Sequence, residues 1–144
     1  MGNKNSTESV LAGKNAGVWK IDRPITGYKK IRCQCQNGYD NNNYKFIARV
    51  SVPIGAHVVR SLHNRGLVSD KIRTDEFKIE EINAIPNFSG YEKCIPIKCH
   101  SIQDRAFDYE AGKTYHPDLL DKRTRFDCTH GLYFFLTETE AINY

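Results

Sequence analysis

Two alternating runs on either side of a polar loop constrain this chain more than any other feature. From Tyr28 to Cys35, Ile31, Cys33 and Cys35 fall on one face, and Lys30, Arg32 and Gln34 on the other. From Lys45 to Val52, Phe46, Ala48, Val50 and Val52 share a face. Period-two alternation marks a strand with one side buried. Between the runs lies Asn37-Gly38-Tyr39-Asp40-Asn41-Asn42-Asn43, dense in residues that tolerate turn backbones. The three segments predict an antiparallel β-hairpin with a long tip.

The remaining elements follow from the same patterning. Pro53 ends the second run, because it has no N–H for a ladder. From Ile54 to Asn64 the pattern is ambiguous. Val58, Val59 and Leu62 fit one stripe of a short helix that Gly66 would stop. Lys71 to Ile82 reads as a strand through Phe77 and Ile79, and Cys94 to Cys99 as another, at an edge because of Pro96. Phe107 and Tyr109 precede Gly112 as a short strand and turn, and Pro117 to Phe126 is a charged loop. Leu132 to Leu136 is continuously apolar, as a central strand would be. Thr137-Glu138-Thr139-Glu140 has capping-box spacing and predicts a helix running to Tyr144. The expected fold is α+β: a mostly antiparallel twisted sheet with one or two short helices. One domain over residues 18–144 would follow a flexible, disordered polar arm over residues 1–17.

The 144 residues can bury a core without staples, and eight Tyr and seven Phe offset a modest apolar content. A net charge of +4, with no run of five like charges, is not the footprint of a dedicated nucleic-acid binder, so no specific nucleic-acid partner is expected. No apolar stretch approaches 18 residues, so no transmembrane segment is expected. The N-terminus lacks the apolar core of a secretory signal. Five cysteines with no such signal read as free thiols in a reduced compartment.

Several motifs invite chemistry. Gly112-Lys113-Thr114 resembles the tail of a phosphate loop, but Phe107 stands where its first glycine belongs, so a glycine turn is the reading. Cys33-x-Cys35 with Cys94, Cys99, His100, Cys128 and His130 contains no C-x₂-C spacing, and buried inert thiols are favoured over zinc. Cys128 and His130 can meet as nucleophile and base only within a turn, and no orienting residue is identifiable. Gly2, with Ser6 four residues on, fits an N-myristoylation pattern and marks a candidate weak membrane tether.

Certain segments carry a family resemblance. They are Gly27-Tyr28-Lys29-Lys30, Ala48-Arg49-Val50-Ser51-Val52-Pro53 with Ala56, and Lys71-Ile72-Arg73 leading into Phe77-Lys78-Ile79. Ser101-Ile102-Gln103-Asp104 and Phe107-Asp108-Tyr109-Glu110-Ala111-Gly112-Lys113 follow. The most specific block is Cys128-Thr129-His130-Gly131-Leu132-Tyr133-Phe134-Phe135 with Glu140-Ala141-Ile142-Asn143-Tyr144. In these the chain resembles a domain of unknown function of large DNA viruses and some phages, where it often follows pentapeptide repeats. No such repeat precedes Gly27 here. The resemblance implies a viral origin and a setting in the virion or host cytoplasm, and it supplies no reaction.

A weaker likeness is to ADP-ribosyltransferases. Gly131-Leu132-Tyr133-Phe134 followed by a helix with Ala141 and Tyr144 is similar to their glycine–aromatic strand and helix. It implies a catalytic set of His130, Tyr133 and Glu140. No catalytic cluster stands out otherwise. The expected function is a non-catalytic viral structural or protein-interaction domain, a minor virion component or host-interaction module. Its partner would be a viral or host protein, with no cofactor and no metal. The alternative is an ADP-ribosyltransferase-like, NAD-binding enzyme.

Overall fold

The computed structural model describes residues 7–36, 44–62, 70–85, 95–101 and 108–144. In chain order the elements are α1 (Thr7–Ala12), β1 (Gly17–Lys20), β2 (Ile25–Cys35), β3 (Tyr44–Val52), β4 (His57–Arg60), β5 (Ile72–Thr74) and β6 (Phe77–Ala84). They continue with β7 (Pro96–Ser101), β8 (Asp108–Tyr109), β9 (Thr114–Tyr115), β10 (Leu132–Phe134) and α2 (Glu138–Asn143). The architecture is α+β and mostly antiparallel, as expected. A six-stranded sheet runs β8-β7-β2-β3-β6-β9 and a four-stranded sheet runs β1-β4-β5-β10.

The hairpin forms as its alternation demands. β2 pairs with β3 from Ile25↔Val52 to Cys33↔Tyr44. The tip, residues 37–43, lies outside the described residues. Ile25, Ile31, Phe46, Ala48, Val50 and Val52 project to one face and pack with Val58, Ile72, Leu132 and Phe134 of the smaller sheet. The other face of the hairpin is covered in part by α2, through Ile47, Ile85, Phe135 and Ala141. Gly27 sits where the two layers touch, and a Cβ there would collide with the Phe134 ring.

Five expectations change. Residues 57–60 form a strand, not a helix: Val58 and Val59 are β-branched and fully buried between β1 and β5. The expected strand over Lys71–Ile82 is two strands in different sheets, β5 pairing with β4 and β6 with β3. β10 lies at the edge of its sheet rather than at its centre. Its apolar run is buried because the next residue crosses to the larger sheet: Phe135 and Tyr28 exchange backbone hydrogen bonds of 2.7 and 2.8 Å. The arm expected over residues 1–17 contains α1, which buries Leu11 completely; Thr7 donates from its backbone and hydroxyl to Asp22. Residues 1–6, including Gly2, lie outside the described residues.

The cysteines are the fifth correction. Cys33 and Cys99 are disulfide-bonded, and Cys35 is disulfide-bonded as well. Cys33 and Cys99 are directly opposed partners on β2 and β7, which brings their side chains together on one face. Composition alone contains no register, so the pairing was invisible in the sequence. Among the described cysteines only Cys128 is free. No described helix is long and apolar enough to cross a membrane.

Candidate functional site

A cavity of about 480 Å³ opens where the two sheets meet, walled by Lys29 of β2, Ser101 of β7, Tyr109 of β8, Lys71, and Leu132 and Tyr133 of β10. Its remaining wall is the loop carrying Pro117, Asp118 and Cys128 to Gly131. Cationic, aromatic and thiol groups therefore converge from five chain segments.

A buried arginine bonds the loop at three points. Arg73, 1% exposed, donates from Nε to the Asp121 carbonyl at 2.7 Å and from its terminal nitrogens to the carbonyls of Phe126 at 2.9 Å and Arg123 at 2.7 Å. A planar guanidinium suits this role, because its fork of donors satisfies several loop carbonyls at once. The Asp121 carboxylate completes the knot. It accepts from the Arg123 backbone at 3.0 Å, from the Arg123 guanidinium at 2.9 and 2.7 Å, and from the Thr129 hydroxyl at 2.7 Å. Those bonds, led by Arg123, hold its pKa well below the ordinary carboxylate range.

Lys71 is the central charge. It is 6% exposed and donates to Tyr144 Oη at 3.1 Å and Cys128 Sγ at 3.3 Å. Its ammonium lies 4.7 Å from the centre of the Tyr133 ring and 5.2 Å from that of Tyr144. Burial works against the charged form, but the bonds to Tyr144 and Cys128 outweigh it and leave the pKa above the usual lysine value. Aromatic faces add cation–π attraction. Lys29 donates to the Tyr133 carbonyl at 2.9 Å and stands 6.0 Å from the centre of the Tyr109 ring.

The residues expected from sequence divide. His130 and Tyr133 both line the cavity. His130 Nδ1 lies 3.5 Å from the Asp118 carboxylate. Tyr133 Oη accepts from the Thr129 N–H at 2.7 Å, with the Thr129 and Asp127 carbonyls at 2.7 and 3.1 Å to receive its proton. Burial raises its pKa, so the phenol keeps that proton. Glu140 is not in the cavity wall. Thr137 caps α2 by accepting from the Glu140 N–H at 3.2 Å, and its hydroxyl donates to the Glu140 carboxylate at 3.0 Å. Lys14 reaches the same carboxylate at 3.1 Å. The capping spacing thus describes what Glu140 does. Cys128 and His130 share the cavity wall, with Lys71 rather than His130 against the thiol.

Lys29, Lys71, Arg73 and Asp118 were not singled out from sequence. The Lys71-Ile72-Arg73 segment contained the available signal: two long cations flanking an isoleucine in a predicted strand, where one face had to be buried.

Residues 13–141 match a family of unknown function, DUF5758. The uncharacterized protein L223 of Acanthamoeba polyphaga mimivirus is 25% identical over 146 residues, spanning 93% of this chain and 92% of the relative. No solved structure matches.

Proposed function

Since the chain belongs to DUF5758, a family of unknown function with a relative in a large DNA virus, we propose that it is a non-catalytic interaction domain whose cavity receives an acidic group of a protein partner. The carrying observation is Lys71, a buried ammonium in the cavity wall, held in place by two tyrosine faces, a phenol and a thiol. With Lys29 it offers two positive charges in a recess of lowered dielectric, where a carboxylate gains more than in water. Tyr109 and Tyr133 supply apolar walls to either side, as binding pockets commonly do.

The test is calorimetric titration with the probe peptide acetyl-Glu-Tyr-Glu and its Gln-Tyr-Gln counterpart carrying a C-terminal amide. Binding of the acidic peptide alone is expected, weakened roughly tenfold or more by Lys71→Met, since the variant leaves the partner's charge unpaired. Equal binding of both peptides, or of neither, overturns the reading.

A second reading, an ADP-ribosyltransferase-like enzyme, draws on one observation: His130, Tyr133 and the Asp118 carboxylate border the same cavity. Against it, Glu140 is engaged at the α2 cap. Nicotinamide release from NAD that is lost in His130→Ala would establish it; no release and no NAD binding would dismiss it.

A further inference from the structure

A second hollow, of about 650 Å³, shares Pro117 and Asp118 with the cavity and is walled by a different set of residues. Its apolar surface comes from Ile54, 64% exposed, and Leu119, 57% exposed, with Leu120 also in the lining. Its charge comes from the carboxylates of Asp75, Glu76 and Asp118, facing His116 and a single lysine, Lys122. The sign is opposite to that of the Lys29–Lys71 cavity.

We propose that this hollow docks an exposed segment of a partner protein in which a basic side chain stands beside an aliphatic one. The aliphatic group covers Ile54 and Leu119, and the ammonium or guanidinium meets the carboxylates. Scattered exposed aliphatics are ordinary, but two in one concavity where three carboxylates outnumber the one lysine form a surface complementary to a basic–aliphatic segment.

Hydrogen bonds brace the support. The Ile54 turn is closed by the Ala56 N–H donating to the Pro53 carbonyl at 3.2 Å. Reciprocal bonds of 2.9 and 2.7 Å tie Gly55 and Ala56 to Ile21. Gly55 adopts φ +93°, which the turn requires and which other residues rarely take. Asp75 is fixed by accepting from the His57 N–H at 2.9 Å, and Glu76 lies 3.3 Å from His116. A surface ordered in advance loses little entropy on binding.

Charge also selects among occupants. A two-fold contact between copies of this chain would set the patch against itself, carboxylates facing carboxylates. Phosphate-bearing ligands meet the same repulsion. A basic–aliphatic segment meets a single like charge, Lys122, against three carboxylates.

The experiment is an NMR titration of the full chain, following the Ile54 and Leu119 methyl signals. The probes are acetyl-Lys-Leu-Arg-Leu-amide and acetyl-Glu-Leu-Glu-Leu-amide. Shifts at both methyls with the basic peptide alone are expected, with affinity reduced at least fivefold in Glu76→Gln and in Leu119→Ser. Both substitutions lie outside the core, and thermal melting checks that each variant stays folded. Equal shifts with the acidic peptide, shifts with neither, or a concentration-dependent dimer broken by Leu119→Ser would each overturn the proposal.

Discussion

Arg73 on β5 donates from Nε to the carbonyl oxygen of Asp121, 48 residues further along the chain, and that bond fixes the loop that walls the cavity. The same guanidinium serves two more carbonyls of the loop, so its loss strands three acceptors at once. Arg73→Met is expected to lower unfolding free energy by about 3 kcal/mol or more, given roughly 1.5–3 kcal/mol for a hydrogen bond to a charged group. Arg73→Lys should recover little, because one ammonium cannot reproduce the fork. Trypsin provides a local readout, since Lys122, Arg123 and Arg125 are exposed on this loop. Cleavage there should accelerate before global unfolding does; unchanged cleavage would mean the loop is held by other means.

Asp121 gives the fold an acid-sensitive point. Its folded pKa lies well below the ordinary value of about 4, so it contributes stability that is complete above about pH 4. That contribution is lost as pH falls through the depressed folded value. Urea unfolding at pH 7, 4 and 2.5 should show wild type losing stability in acid more steeply than Asp121→Asn. Parallel losses would contradict this account.

Gly27→Ala should destabilise by about 1–3 kcal/mol, the usual cost of overpacking a filled core. The added carbon would have to displace the Phe134 ring, and the Phe135 carbonyl, 3.1 Å from it, leaves little room to retreat. Denaturant titration measures it. A neutral result would show that the sheets can separate locally.

The disulfide between Cys33 and Cys99 closes a span of 66 residues. Replacing both cysteines by alanine should cost about 2–4 kcal/mol through the freer unfolded chain. Because Cys99 is paired with Tyr109 across β7 and β8, and Tyr109 lines the cavity, the loss should also loosen that wall. Thermal melting measures the first effect and near-ultraviolet dichroism of the tyrosines the second.

Period-two alternation in Ile31 to Cys35 and Phe46 to Val52 made the central hairpin legible, because one buried face imposes that rhythm on a strand. Thr137 and Glu140 made the last helix start legible, because capping is decided within four residues. The cavity was half legible. His130 and Tyr133 stood in a conspicuous block, while nothing in the local pattern tied Lys29 and Lys71 to a cavity. Their roles depend on which strands of two sheets lie adjacent, a long-range matter that local patterning does not encode. The strand at Val58 and Val59 was misread for the same reason. Adjacent β-branched residues buried on both faces have no alternation to reveal, and only β1 and β5 on either side explain them.

The paired backbone bonds between Tyr28 and Phe135 stitch one layer of the molecule to the other. Parting of the layers breaks both bonds and frees their two amide protons. Their rates of deuterium uptake therefore act as an internal gauge of how often the molecule breathes at the seam from which its recess opens, readable without knowing what the recess holds.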